Sequence, residues 1–236
     1  MGKRIITQRR GKGSLTYRAP SHRYHYEISY PKNDETLTGN VAQIMKDPAR
    51  TAPTAIIKFN DKSIIPIPAS LNMREGDNVS YNNLNENAKL NILKLKDIPE
   101  GTSVYNLESK PGDGGKFCRS AGTAASVVSK TESYVLVKLP SRKERKFNPA
   151  CRATIGVIAG GGKTEKPMLK AGKKYHIMKA RNKLYPKTSG VAMNAVDHPF
   201  GSGRGRHVGK SKIPKKNAPP GRNIGLIRAK RTGRKR

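Results

Sequence analysis

The run Gly190–His207, GVAMNAVDHPFGSGRGRH, gathers residue types suited to engaging a polyanion. Gly201, Gly203 and Gly205 lack a Cβ, so the backbone there can take positive φ and bring its amides close to another surface. Arg204 and Arg206 alternate with them and offer planar forks that match phosphate oxygens or stack on bases. Asn194 and His198 complete the set of candidate contacts, and Pro199 biases His198 towards extended backbone. Acid–base chemistry at His198 is disfavoured, because adjacent residues of an extended run point to opposite sides and Asp197 could not orient the ring. Phe200-Gly201-Ser202-Gly203-Arg204 is also not a nucleophile elbow.

A second suggestive stretch is Gly160-Gly161-Gly162-Lys163-Thr164, which follows the apolar run Ile155–Ile158 and imitates the end of a phosphate-binding P-loop. The full pattern needs a glycine at position 157, where the chain has Val157, and Pro167 falls where the following helix should continue. The reading is therefore a glycine-rich loop that offers amides, Lys163 and Lys166 to phosphates, without nucleotide hydrolysis.

Charge identifies the class of polyanion. The 236 residues hold 48 Lys and Arg against 16 Asp and Glu, a formal charge of +32. Such a charge repels itself in a compact monomer and implies a neutralising partner, with nucleic acid the leading candidate. A membrane is disfavoured: no apolar run approaches the ~18 residues needed to span, and there is no Trp for an interfacial belt. The opening MGKRIITQRRGKGS lacks a secretory apolar region, and Ile6 occupies the position where myristoylation needs Ser or Thr, so a cytoplasmic location is expected. Cys118 and Cys151 are far apart and in no metal-ligand spacing, which suggests small buried apolar residues.

The elements that must position these residues are read from pattern. From Pro31 to Glu108 acids and bases balance within one charge, whereas from Gly161 onward only Glu165 and Asp197 are acidic. A globular middle between basic arms follows, divided as a basic N-terminal arm (1–30), a first barrel (31–97), a second barrel (98–180) and a C-terminal extension (181–236). The arm mixes Arg4, Arg9, Arg10, Lys12, Arg18 and Arg23 with Tyr17, Tyr24 and Tyr26, a combination suited to phosphates and unpaired bases. Tyr24 and Tyr26 equally suit the start of a strand.

The middle predicts β-structure. Short β-branched or aromatic runs lie at Val41–Met45, Ala55–Phe59, Ile64–Ile67, Val79–Tyr81 and Asn91–Leu95, with Asn60-Asp61-Lys62 as hairpin chemistry. About five such strands suit a barrel of the oligonucleotide-binding type. Ser103–Leu107, Ala124–Ser129, Tyr134–Leu139, Arg145–Phe147 and Thr154–Ile158 form a second group, suited to an SH3-like barrel. Helix signals are weak, with short turns expected at Thr164–Lys173 and Lys179–Lys183. From Lys187 the chain is Gly, Pro, Asn, Lys and Arg and should not fold alone in water.

Three ordered runs carry a family resemblance: ACRATIGVIAGGGKTEKPMLKAGKKYHIMKARN (Ala150–Asn182), GVAMNAVDHPFGSGR (Gly190–Arg204) and NAPPGRNIGLIRAKRTGR (Asn217–Arg234), with GKGS (Gly11–Ser14) in the arm. Together they resemble the second protein of the large ribosomal subunit, the universal L-two family. Phe200, where the bacterial form usually carries His, places the likeness on the archaeal or eukaryotic branch. Ser202 replaces a more usual glycine of that branch.

The resemblance implies the two barrels named above and a basic extension that penetrates ribosomal RNA. It implies a structural, non-enzymatic role: primary binding of large-subunit ribosomal RNA, subunit association, and support for assembly of the peptidyl-transferase centre, with peptide transfer left to RNA and His198 a structural contact. The implied RNA contacts are the arm cations above, Lys163, Lys166, Lys173, Lys174, Lys179, Arg181, Asn194, His198, Gly201, Gly203, Arg204, Arg206, Arg222, Arg228 and Arg231. Implied partners are that RNA, neighbouring ribosomal proteins and the small subunit through an intersubunit bridge, with no membrane and no small-molecule substrate. No cofactor is implied beyond structural Mg2+ held through the RNA.

Overall fold

The structure is a computed structural model that describes residues 2–31, 35–85, 87–203, 205, 213, 215–220, 222–223 and 225–227. They group into two compact units, Ser21–Pro167 and the two chain ends taken together, Met1–Pro20 with Met168–Arg236.

The Ser21–Pro167 unit is mainly β. Its strands are β1 (Leu37–Lys46), β2 (Pro53–Phe59), β3 (Ile64–Pro68), β4 (Asn78–Tyr81), β5 (Leu90–Lys94), β6 (Ser103–Tyr105), β7 (Ala125–Lys130), β8 (Val135–Lys138), β9 (Glu144–Phe147) and β10 (Arg152–Ile155). Each predicted run is present with shifted ends; β1 starts at Leu37 rather than Val41, and β10 stops at Ile155. The β2–β3 hairpin closes as its turn chemistry dictates. Lys62 takes φ 66, and the Asp61 carboxylate accepts from the Ser63 N–H and hydroxyl at 2.9 and 2.6 Å. No strand forms at Tyr24 or Tyr26; Tyr26 donates to Met45 Sδ at 3.3 Å and Tyr24 stays exposed.

The strands run in the order β3-β2-β1-β4-β5-β10-β6-β7-β8-β9, with β4–β5 the parallel pair among them. Two hydrophobic clusters fill this ladder, one built on Val41, Ile57, Phe59, Ile67 and Val79, the other on Val127, Val135, Val137 and Phe147. They are consistent with an oligonucleotide-binding-type barrel followed by an SH3-like barrel. Strand alternation joins them: Leu90 and Ile92 enter the first cluster, whereas Leu93 and Leu95 enter the second.

A buried polar network pins this junction. Arg152 of β10 donates from Nε and Nη2 to Glu108 Oε1 at 3.1 and 2.9 Å, and from Nη1 to the Pro31 carbonyl at 2.6 Å and to the Tyr81 hydroxyl. The Tyr30 hydroxyl reaches the Asn106 carbonyl and Thr154 Oγ1 at 2.8 and 2.7 Å. Cys151 is buried in the second cluster and Cys118 half-buried, both as free thiols.

The helices differ from expectation. α1 (Ile6–Gly11) lies in the arm, α2 (Gly162–Glu165) is one turn, and α3 (Ala171–Ala180) crosses the gap between the two predicted turns. The reason is that AGKKYHIMKA buries no side chain fully, so it shows little apolar periodicity; good intrinsic helix formers such as Ala, Lys and Met carry it instead. Among the described residues no helix is long and apolar enough to cross a membrane.

Candidate nucleic-acid interface

The two basic ends of the chain are stapled into one body. Asn182, held at φ 51, donates its amide to the Leu15 and Arg18 carbonyls at 3.2 and 2.9 Å. The Lys3 N–H donates to the Val196 carbonyl at 2.8 Å, Ile5 N–H to Ile227 at 3.3 Å, and Lys3 Nζ pairs with Asp197 Oδ1 at 3.3 Å. Ile5 is buried. Asp197 is the sole acidic residue in the sequence of this unit.

The Gly190–Gly203 stretch is folded into turns, which corrects the expectation of extended backbone. The Asp197 and His198 amides donate to the Asn194 carbonyl at 2.9 and 3.2 Å, Gly201 to His198 at 2.9 Å, and Ser202 to Met193 at 3.1 Å. Glycine permits this closure: a Cβ on Gly201 would lie 2.3 Å from the Asn194 carbonyl oxygen, and one on Gly190 would lie 2.5 Å from the His198 ring. These intramolecular bonds outweigh the extended bias that Pro199 places on His198.

His198 is half-buried in this knot. Its Nδ1 accepts the Phe200 N–H at 3.1 Å, and the two rings lie 5.0 Å apart. A backbone N–H can only donate, so the neutral ring carries its proton on Nε2. Asp197 is engaged by Lys3, and Ser202 Oγ accepts the Ala195 N–H at 3.1 Å. The local groups are thus spent on structure, and among the described residues no carboxylate is hydrogen-bonded to the ring.

The other predicted contacts scatter over both units. Arg4, Arg9, Arg10, Lys12 and Arg18 are exposed in the arm, Lys173, Lys174, Lys179 and Arg181 on or beside α3, with Arg222 and Asn194 also exposed. Lys174 Nζ sits 5.1 Å from the Tyr185 ring centre. Exposed Arg23, Lys163 and Lys166 belong to the other unit. There the glycines before Lys163 have a packing role as well, since a Cβ on Gly122 would lie 2.5 Å from Gly161 Cα. Arg204, Arg206, Arg228 and Arg231 lie outside the described residues.

The β8–β9 hairpin was expected from its strands, but its cations Arg145 and Lys146 were not among the expected contacts. Arg145 lies 4.8 and 5.4 Å from the Phe117 and Phe147 ring centres, and Lys146 Nζ lies 4.1 Å from that of Tyr134. The rings restrain both cations on β9, the last strand of the ladder. The signal was available in Ser141–Phe147, SRKERKF, where cations crowd a strand. Among the described residues no group of three His, Cys, Asp or Glu is placed to hold a metal ion.

Two family models and a set of named relatives match the chain. The family model described as Ribosomal Proteins L2, RNA binding N-terminal domain, matches residues 3–81, and that described as Ribosomal Proteins L2, C-terminal domain, matches residues 89–218. The proteins named large ribosomal subunit protein uL2 from Archaeoglobus fulgidus and Methanococcoides burtonii are 53% and 51% identical, each over 100% of both chains. That of Haloarcula marismortui is 50% identical over 99% of this chain and 98% of its own.

Proposed function

The chain belongs to the ribosomal protein L2 family, and from that premise we propose that it is a structural, non-enzymatic constituent of the large ribosomal subunit that binds its ribosomal RNA. The observation that carries this is the body formed by the two chain ends. Its one carboxylate is occupied by Lys3, while Arg9, Arg10, Lys12, Lys173, Lys174 and Lys179 stand exposed around it. A polyanion is the partner that relieves such a surface.

Within that role, the body formed by the chain ends enters the RNA while the two barrels dock on it through their cationic faces. The site residues are the arm cations, Lys163, Lys166, the α3 cations with Arg181, then Asn194, His198, Gly201, Gly203, Arg204, Arg206, Arg222, Arg228 and Arg231. Subunit association, support for assembly of the peptidyl-transferase centre, contacts with neighbouring ribosomal proteins, and Mg2+ held through the RNA complete the reading, in the cytoplasm. Peptide transfer is left to RNA, and His198 serves the fold of its turn.

The test is titration of the full chain into a large-subunit ribosomal RNA transcript at several salt concentrations. Affinity should fall steeply with salt, each phosphate contact contributing about −0.9 to the logarithmic slope on duplex and about −0.7 on single strands. Equal affinity for an unrelated transcript of the same length would overturn the reading.

A further inference from the structure

We propose that the outer face of the first barrel's sheet is a further RNA-binding surface, one that reads the shallow minor groove of an RNA duplex through asparagine amides. This rests on the reading of the chain as a binder of ribosomal RNA. Register places Lys58 of β2, Asn40 of β1 and Asn78 of β4 in one cross-strand row. Lys89, at the start of β5, closes the row, its N–H donating to the Asn78 carbonyl at 3.0 Å. All four are exposed.

The next row on the same face is Asn60, Thr38, Ser80 and Asn91, because residues two apart on a strand share a side. This row is tied down internally. Asn60 Nδ2 donates to Thr38 Oγ1 at 2.6 Å, Ser80 Oγ to the Asn83 carbonyl at 2.7 Å, and Asn91 exchanges two bonds with the Asn85 backbone at 3.1 and 3.2 Å. The Asn40 and Asn78 amides make no bond with another described residue. A shallow groove runs over them, lined also by Asn60, Asn85 and Asn87.

The chemistry of the face selects its occupant. No carboxylate stands in either row; Asp61 accepts from Ser63 in its own turn, and Asp77, which lines a cleft beside Asn78 and Lys89, is engaged by the Arg74 N–H. Lys58 and Lys89 are three strand spacings apart, about 14 Å. A duplex RNA minor groove presents 2′-hydroxyls and base edges between two phosphate ridges. Asparagine amides both donate and accept, as those groups require, and the lysines flank them as the ridges do. Neither row holds an aromatic ring to stack unpaired bases, nor an apolar anchor of the kind protein interfaces use.

The test compares full-length chain with the variants N40A/N78A and K58A/K89A on the large-subunit ribosomal RNA transcript. N40A/N78A should weaken binding about tenfold at unchanged salt slope, because amides displace no counterions, and should remove hydroxyl-radical protection of a set of duplex sugars. K58A/K89A should flatten the slope by about two phosphate contacts. An N40A/N78A affinity within twofold of the parent, with the footprint intact, overturns the proposal while the parent's binding upholds the wider reading, and is the result a protein occupant would give. A parent chain that ignores the transcript overturns both.

Discussion

Glu108 and Arg152 meet at 2.9 Å as a buried ion pair between the two barrel cores, with Arg152 also holding the Pro31 carbonyl at 2.6 Å. The pair therefore ties three separate segments of the chain to one guanidinium. Removing one partner strands the other charge away from water, so Glu108→Ala or Arg152→Ala should each cost about 3–5 kcal/mol. Replacing both by apolar residues of similar volume should cost much less. Urea unfolding followed by circular dichroism checks this, and equal losses for single and double changes would contradict it.

Alkaline pH should unfold the protein from within. Burial pushes the Cys118 and Cys151 thiols up to about 11 from an ordinary 9.0, with Glu108 adding to the rise at Cys151. Burial also pushes the Tyr30 and Tyr105 phenols above their usual range. In each case the folded state holds the proton more tightly than the unfolded state. The stability this gives is fully present below pH 9 and is lost as pH rises through 11 and beyond. Unfolding free energy measured from pH 8 to 11 should fall progressively above 9, and a flat profile would refute the assignment.

Gly190 reports on the His198 turn, with Gly172 of α3 as the control. Gly190→Ala would set a Cβ 2.5 Å from the His198 ring, whereas Gly172→Ala in α3 meets nothing within 4 Å. The first should cost about 1–3 kcal/mol by overpacking, and the second should be neutral or gain up to about 1 kcal/mol. Hydrogen exchange of peptides spanning residues 190–203 should accelerate for Gly190→Ala alone.

Asn182 should prove to be the staple of the arm. Asn182→Ala loses both bonds to the Leu15 and Arg18 carbonyls and puts a Cβ-bearing residue without local hydrogen bonding at φ 51. Tryptic cleavage after Arg18 should become several-fold faster. Asn182→Gly keeps the backbone but not the bonds, so faster cleavage in both variants assigns the effect to the amide, and faster cleavage in Asn182→Ala alone assigns it to the backbone.

The strands were legible because runs such as Ala55–Phe59 and Tyr134–Leu139 carry their β preference locally, between turn residues that match the turns formed. α3 was not, because its stability comes from backbone propensity and contacts such as Lys174 on Tyr185 rather than an apolar stripe. The Gly190–His207 stretch was singled out by composition, yet its folded turn depends on pairings such as Ser202 with Met193 and Ala195 that a linear reading cannot weigh. The union of the chain ends rests on Asn182 reaching residues more than 160 positions away, and the Lys58–Asn40–Asn78–Lys89 row exists only once register is known.

The most direct test of the central claim is sedimentation of cell lysate on sucrose gradients at moderate and high salt, with quantitative detection of this chain. A structural constituent should co-migrate with large subunits at one copy per subunit and remain after the salt wash. Recovery mainly at the top of the gradient, or at a small fraction of subunit copies, would contradict it.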